Sequence, residues 1–180
     1  MIDVHLAIID GAPKAWIDQC VSSIFEAGKQ AGYPVDVHLF QGTTGHIGQS
    51  RSRGYALGSH PYVTYVDYDD YLLPDAFRCM DAALSSHPDA VFCNEMTLQN
   101  GQLRQGRKRH HLSVYRRTLL DGFDYSKWPS CFDLAITNHV ELFAKNVVDL
   151  DECNYVHRLY LSEGRKLRRA NIAEQEILRG

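Results

Sequence analysis

Short apolar runs alternate with longer amphipathic segments over the first hundred residues. Four runs of four to six mostly apolar residues end near turn residues, which is typical of buried strands; they are Val4–Ile9, Val35–Phe40, Tyr62–Val66 and Ala90–Cys93. Three segments between them carry apolar residues at helical spacing; they are a segment that begins at Pro13 and ends near Gly28 or Gly32, Gly48–Leu57 and Pro74–Leu84. This alternation predicts an α/β fold with a mostly parallel sheet flanked by helices on both faces.

The second half of the chain has a less regular pattern. Asp121–Phe132 carries aromatic residues without a helical period and predicts a loop, whereas Thr137–Val148 predicts a helix or a mixed segment. Asn154–Leu161 has the spacing of a helix, and Ala173–Gly180 predicts a short peripheral helix or a frayed end. Because the 180 residues contain neither a repeat nor a low-complexity linker, we expect a single domain, 1–180.

Composition excludes several classes of protein. Apolar residues make up 44% and charged residues 23%, which is typical of a globular domain and excludes a disordered, collagen-like or coiled-coil chain. There is no run of 18 apolar residues and no basic leader, so we expect neither a membrane span nor a signal peptide. Five scattered cysteines without a CxxC pair argue against a disulfide framework and a structural zinc site, and favour a reducing cytoplasm.

Polar residues follow three of the predicted strands, at the edge where parallel sheets bind ligands. They are Asp10 and Gly11 after the first strand, Gln41 and Thr43 after the second, and Asp67, Asp69 and Asp70 after the third. Three crowded carboxylates repel one another, and a divalent cation is a common means of offsetting that repulsion. Oxygen ligands alone suit Mg²⁺ or Mn²⁺. A solvated acidic turn that caps the helix opening near Pro74 is the alternative.

Several segments of the chain resemble, in order and spacing, the motifs of family-2 glycosyltransferases of the GT-A fold. The stretch YVTYVDYDDYLLPDAF, Tyr62–Phe77, is similar to the strand, D-x-D turn and helix start of that family. The other matching segments are Trp16–Ile24, Gly48–Gly58, Asp151–Leu159 and Gly164–Leu167, which resemble its first helix, its Arg-containing helix, its acidic pair and the short motif that follows.

The resemblance implies a metal-dependent, inverting transferase that uses a nucleoside-diphosphate sugar, with a UDP-sugar as the expected donor. Residues 1–100 would form the donor-binding half, and 101–180 the acceptor and catalytic-base half. The residues that the resemblance places at the nucleotide are Asp10, Gly11, Gln41, Thr43, Arg51 and Asp67.

Metal binding and catalysis are assigned by the same resemblance. Asp67 and Asp69 would hold Mn²⁺ or Mg²⁺. Glu152 of the acidic pair is the candidate general base, with Asp151 beside it. Apart from the resemblance, Asp151 or Asp133 is the next candidate if Glu152 is not the base.

Two departures and one basic segment leave alternatives open. Gln41 and Thr43 stand where the family carries acidic residues that read the nucleobase, and the acidic pair is Asp-Glu rather than Glu-Asp. Arg104–Arg117 holds six Lys or Arg in fourteen residues and is either a solvated loop or a contact for a polyanionic acceptor such as modified DNA, with Tyr115 as a stacking surface. The alternative functions are a non-catalytic nucleic-acid-binding module that uses this segment and a degenerate domain that binds sugar nucleotide without turnover.

Overall fold

An eight-stranded mixed sheet forms the centre of the molecule, with helices on both faces. The computed structural model describes residues 1–32, 34–106, 111–128 and 132–159. The strands are β1 Ile2–Ile8, β2 Val35–Gln41, β3 Tyr62–Tyr65, β4 Tyr71–Leu72, β5 Ala90–Gln99, β6 Gln102–Gln105, β7 Val114–Arg116 and β8 Val147–Arg158. The α-helices are α1 Lys14–Ala31, α2 Ile47–Tyr55, α3 Ala76–Leu84 and α4 Phe132–Phe143, and 3-10 turns span Arg117–Leu120 and Tyr125–Lys127.

The strand order is β2-β1-β3-β7-β5-β8-β4, with β6 paired to β5 as a hairpin. Strands β1, β2 and β3 are parallel, and β5 and β8 are parallel to each other. Strand β7 runs antiparallel to both of its neighbours, β3 and β5, so those two strands point the same way. The carboxyl ends of β1, β2, β3, β5 and β8 therefore lie along one edge of the sheet.

Two apolar layers hold the helices to the sheet. On one face, α1 and α3 share a core cluster with β1, in which Ile24, Phe77 and Met80 are fully buried. On the other face, α2 and α4 cover β3 and β7 through a mostly aromatic cluster that includes Phe132 and Tyr65. Burial of this much apolar surface on both faces is the main favourable term in the folding free energy. None of the described helices has the length and apolar composition that crossing a membrane requires.

The predicted α/β class and the helices on both faces are confirmed, whereas a mostly parallel sheet is wrong. The four strands predicted in the first half are present, and the first helix ends with Gly32 in the left-handed conformation, at φ 74°. The sheet is mixed because β7 inserts between β3 and β5, and β4 runs antiparallel to β8. Strand β7 lies within the basic segment 104–117. Its apolar run, Val114–Tyr115, is only two residues long and is followed by two arginines, so the sequence pattern did not indicate a strand.

The predicted helix Asn154–Leu161 is also wrong, because most of this segment belongs to β8. Tyr155, Val156 and Leu159 have helical spacing, but aromatic and β-branched residues also favour strands, and pairing with β5 and β4 determines the outcome. The mixed segment Thr137–Val148 contains the end of α4 and the start of β8, and the loop Asp121–Phe132 includes a 3-10 turn. The predicted element Ala173–Gly180 lies outside the described residues.

Close packing of α2 on β1 sets the position of the helix that carries Arg51. Gly54 lies directly over the ring of His5, and a Cβ atom built at Gly54 would be 2.3 Å from His5 Cδ2. His5 is fully buried and makes edge contact with Tyr55, at 4.6 Å between ring centroids. Any larger side chain at position 54 would therefore push α2 away from the sheet.

We expect Gly54→Ala to lower the free energy of unfolding by about 1–3 kcal/mol, because the added methyl group overpacks the contact with His5. Ser52→Ala is the matched control, since Ser52 is exposed on the same helix. Urea unfolding of both variants measures the difference. If Gly54→Ala were as stable as Ser52→Ala, the packing of α2 would not depend on this contact.

Candidate donor-binding site

The residues predicted to bind the nucleotide lie at the carboxyl edge of the sheet, after β1, β2 and β3. Asp10, in the turn after β1, accepts a hydrogen bond from Gln41 Nε2 at 3.0 Å. Gly11 in the same turn has φ 78°, a conformation that favours glycine. Thr43 receives a hydrogen bond at Oγ1 from Arg53, at 2.8 Å, and its backbone N–H donates to Ser50 Oγ. The structure therefore brings Asp10 and Gln41 together and ties Thr43 to α2.

Asp67 follows β3 and is fixed by two cationic side chains. Arg51 Nη2 donates to Asp67 Oδ1 at 2.5 Å, and His111 Nε2 lies 3.7 Å from Asp67 Oδ2. Burial by itself would raise the pKa of Asp67, but Arg51 and His111 outweigh it and hold the pKa below its ordinary value. The Asp67 side chain stays 32% exposed, so one part of the ionised carboxylate faces solvent.

Arg51 is buried under Asp67 and does not face an open pocket. Its side chain is 2% exposed, and its guanidinium carbon lies 3.4 Å from the ring centroid of Tyr65. A buried guanidinium needs an ionised partner to offset the loss of hydration. Arg51 is therefore paired with Asp67. Arg51 would act on a nucleotide through the Asp67 carboxylate.

His111 carries a second buried charge next to Asp67. Its Nδ1 lies 2.6 Å from Glu95 Oε2, and its ring stacks on Tyr155 at 4.5 Å between centroids. Burial would lower the pKa of His111, but the hydrogen bonds to Asp67 and Glu95 raise it to about 10. His111 is therefore an imidazolium held between two carboxylates at neutral pH.

Asp70 is a structural member of the acidic turn. Its side chain is buried and receives the Tyr155 hydroxyl at 2.7 Å, His157 Nδ1 at 3.1 Å and the Arg158 backbone N–H at 2.8 Å. The Arg158 guanidinium also donates to the backbone oxygen of Asp69. These contacts hold the turn against the end of β8, so Arg158 orients Asp69 and Asp70 rather than the acidic pair 151–152.

Asp69 differs from its two acidic neighbours. Burial raises the pKa of Asp69, and the charges of Asp70 and Asp67 raise it further, to about 7. A cation beside Asp69 would relieve this repulsion, and a set of carboxylate oxygens fits Mn²⁺ or Mg²⁺. A second group of possible ligand atoms, from Asp70, His111 and His157, lies within 4.8 Å of one another, but both ring nitrogens of His111 already contact carboxylates. Asp67 and Asp69 remain the predicted ligands of such an ion.

Asp133, in the first turn of α4, reaches the same region from the opposite side. The Tyr65 hydroxyl donates to Asp133 Oδ1, and the charge of Asp133 acts on Arg51 and His111. Asp133 is half-buried, and it lies on a helix that packs against β3. It is the candidate base that the structure places near the Asp67 cluster.

Asp151 and Glu152 lie elsewhere, exposed within β8. They precede Arg158 by seven and six residues and lie where β8 shifts its register against β5. The charge of Glu152 acts on Arg78 of α3, whose pKa is raised mainly by its hydrogen bond to Asp75. The backbone oxygen of Asp151 accepts from Asn94 Nδ2 at 2.9 Å. The structure does not bring this pair to the aspartate turn, and its catalytic role stays a prediction.

The described part of the basic segment 104–117 is largely built into the fold. Arg117 donates to Asp3 Oδ2 at 2.5 Å and to three backbone oxygens, and Arg116 binds Asp89. Tyr115 is fully buried, so the expectation that it offers a stacking surface is wrong. Residues 107–110 lie outside the described part of the chain.

A groove of about 570 Å³ opens beside α4 and the 3-10 turns. Phe123, Trp128, His139 and Phe143 give it an aromatic wall, and Asp121 and Asp124 add carboxylates. The backbone oxygen of Trp128 accepts from the Gly48 N–H at 3.1 Å, so one end of the groove adjoins the start of α2. Aromatic rings with a few polar groups are typical of small-molecule sites.

Comparison with known proteins gives a sequence relative and solved structures of similar fold. No family model matches the chain. An uncharacterized protein of Sinorhizobium fredii, y4gI, is 28% identical over 107 residues, which cover 58% of this chain and 12% of that protein. The solved structure of S. aureus TarS 1-349 has a TM-score of 0.68 at 16% identity, over 87% of this chain and 60% of that chain.

TarS 1-349 was also solved with two ligands. The complex with UDP-GlcNAc has a TM-score of 0.69 at 16% identity, over 90% of this chain and 59% of that chain. The complex with UDP has a TM-score of 0.66 at 15% identity, over 93% of this chain and 63% of that chain. The chain thus spans about three fifths of TarS 1-349, and at this identity the likeness shows a shared fold.

Sequence reasoning missed the buried partners that arrange the acidic turn. Glu95, His111, Tyr155 and His157 come from β5, from the segment before β7 and from β8. The one signal in the sequence was Glu95, a charged residue close to the apolar run Ala90–Cys93, which is consistent with a buried partner of opposite charge. The identity of that partner depends on the pairing of β5 with β7, which sequence patterns did not reveal.

We expect Arg51→Met to lower the free energy of unfolding by about 3 kcal/mol, near the low end for a broken buried ion pair because Asp67 remains partly exposed. The double variant Arg51→Met/Asp67→Asn should recover part of this loss, since it removes the uncompensated carboxylate. Arg53→Met, an exposed position on the same helix, is the control. Urea unfolding measures the free energy of unfolding of each variant. If the loss in the double variant equalled the sum of the losses in Arg51→Met and Asp67→Asn, the pairing would be contradicted.

Proposed function

We propose that this protein is a glycosyltransferase that moves a sugar from a nucleoside-diphosphate sugar, with a UDP-sugar as donor, to an acceptor hydroxyl. The observation that carries the proposal is the aspartate turn, Asp67 to Asp70, at the carboxyl edge of a sheet whose fold is shared with TarS, a protein solved with UDP and with UDP-GlcNAc. The motif resemblance to family-2 glycosyltransferases supports the same reaction.

The donor would lie along this edge. Asp10 and Gln41 offer a carboxylate and an amide to the nucleoside, and both groups can bond a base edge or a ribose hydroxyl. A Mn²⁺ or Mg²⁺ ion at Asp69 and Asp67 would neutralise charge that develops on the leaving diphosphate. Arg51 and His111 keep Asp67 ionised and fixed in direction, and Arg158 holds the turn that presents Asp69.

Asp133 is the proposed general base. A carboxylate can take the proton of the acceptor hydroxyl as its oxygen bonds to the anomeric carbon, while the bond from that carbon to the diphosphate oxygen breaks. This single displacement inverts the configuration and needs no enzyme nucleophile. The hydroxyl of Tyr65 donates to Asp133, which fixes the direction of one carboxylate oxygen. The position of the groove beside α4 favours it as the acceptor site.

We expect Asp69→Asn to remove the Mn²⁺-dependent part of donor binding. With Mn²⁺ present, UDP-GlcNAc at 100 Kd should stabilise the wild-type protein by about 2.7 kcal/mol relative to ligand-free protein, and the same concentration without Mn²⁺ should stabilise it less. Thermal-shift measurements with and without Mn²⁺ test this, and Asp81→Asn, an exposed position on α3, is the control. A full Mn²⁺ effect in Asp69→Asn would exclude Asp69 as a metal ligand.

We expect Asp133→Asn to reduce turnover by about 10²–10⁴-fold while UDP-GlcNAc still stabilises the protein, because only proton transfer is lost. Release of UDP from UDP-GlcNAc, with water and a set of soluble sugars as acceptors, measures turnover. Glu152→Gln is the matched comparison, and it should retain near wild-type turnover. If Glu152→Gln lost turnover and Asp133→Asn kept it, Glu152 would be the general base. If the wild type bound UDP-GlcNAc but released no UDP, a degenerate domain that binds sugar nucleotide without turnover would be favoured.

A further inference from the structure

A second cluster of ionisable side chains lies at the amino-terminal edge of the sheet, opposite the aspartate turn. Strands β1 and β2 carry the same four residues, Asp-Val-His-Leu, and their register pairs Asp3 with Asp36 and His5 with His38. His60, in the loop before β3, completes the group. The donor site uses none of these residues.

The four side chains form two close pairs. His38 Nε2 lies 2.8 Å from Asp3 Oδ1, and His60 Nε2 lies 2.8 Å from Asp36 Oδ2. The ligand atoms of Asp3, Asp36 and His60 all lie within 4.8 Å of one another. Because Zn²⁺ ligand distances are about 2.0–2.2 Å, these three atoms need only small side-chain movements to contact one ion. His38 Nε2 lies outside this group of three and would turn from Asp3 Oδ1 towards the ion to become the fourth ligand.

The carboxylate of Asp3 is held so that one oxygen faces the histidines. Its Oδ2 accepts from Arg117 Nη2 at 2.5 Å and from the His60 backbone N–H at 2.7 Å, which leaves Oδ1 towards His38. Gly58 keeps the space beside this carboxylate open, since a Cβ there would be 2.1 Å from Oδ1. Hydrogen bonds that orient a ligating carboxylate in this way are typical of metal sites.

We propose that Asp3, Asp36, His38 and His60 bind one zinc ion in a four-coordinate site. Two imidazoles and two carboxylates match the nitrogen and oxygen ligands that Zn²⁺ accepts, whereas Mg²⁺ prefers oxygen ligands alone. Each histidine would bind through Nε2 in its neutral form and carry its proton on Nδ1. Asp36 and His38 are partly exposed, which gives an ion access, while Asp3 is buried.

Such an ion would connect three segments of the chain. Asp36 and His38 lie on β2, which is the edge strand of the sheet, Asp3 lies on its neighbour β1, and His60 comes before β3. Binding energy released only in the folded state adds to stability. The site is independent of the proposed transferase reaction, so its test does not depend on donor or acceptor.

Zinc content and affinity of the untagged full chain test this proposal. After removal of metals with a chelator, we expect the wild type to take up one Zn²⁺ per chain by isothermal titration and elemental analysis, and Co²⁺ to give the intense visible bands of tetrahedral coordination. The double variant His38→Ala/His60→Ala should lose this ion. Each single variant should bind more than about tenfold more weakly, and excess Mg²⁺ should not compete.

Two controls keep the test decisive. His87→Asn, an exposed histidine outside the cluster, should bind zinc like the wild type. Asp36→Asn alters the most exposed ligand, so it should weaken zinc binding and leave the metal-free melting temperature unchanged even if the double variant folds poorly. Zinc uptake that is absent from the wild type, or that persists undiminished in both His38→Ala/His60→Ala and Asp36→Asn, would overturn the proposal.

Discussion

The candidate donor site depends on the buried ion pair between Arg51 and Asp67. Removing a guanidinium from water costs several kcal/mol unless an ionised partner and good geometry offset the loss. Arg51 has that partner in Asp67 at 2.5 Å and lies on the ring of Tyr65, while the contact of Gly54 with His5 keeps α2 close to the sheet. The pair therefore fixes both the helix and the first carboxylate of the acidic turn.

The three aspartates of the turn have distinct electrostatic environments. Arg51 and His111 offset the charge of Asp67, and the donors from Tyr155, His157 and Arg158 satisfy Asp70. Among the described residues Asp69 has no such partners, and burial together with the charges of Asp70 and Asp67 raises its pKa to about 7. Under the proposed function, a site with one uncompensated carboxylate would hold a cation weakly alone and more firmly when diphosphate oxygens complete its ligands. This favours joint binding of metal and donor.

Sequence patterns predicted β1, β2, β3 and β5 and the first three helices, because these strands are apolar runs and these helices amphipathic, but they missed the two-residue strand β4. They also predicted that Asp10, Gln41 and Asp67 would meet at one edge, which follows from parallel strand direction alone. The second half resisted prediction because β7 and β8 are defined by their pairing partners and not by local pattern. The same limit hid His111 and Glu95, whose contact requires β5 and β7 to be neighbours.

The two edges of the sheet carry different kinds of metal ligand, so we expect each edge to bind a different ion. Asp3 and Asp10 are seven residues apart, about 23 Å along an extended chain, so neither cluster can share a ligand with the other. Carboxylate oxygens after β3 suit Mn²⁺ or Mg²⁺, while paired histidines at the opposite edge suit zinc. Because β1 and β2 run continuously between these edges, an ion that secures Asp36 and His38 would also hold the register in which Gln41 meets Asp10. The edge strand would then be fixed at one end by metal ligands and at the other by the bonds that form the nucleoside end of the donor site.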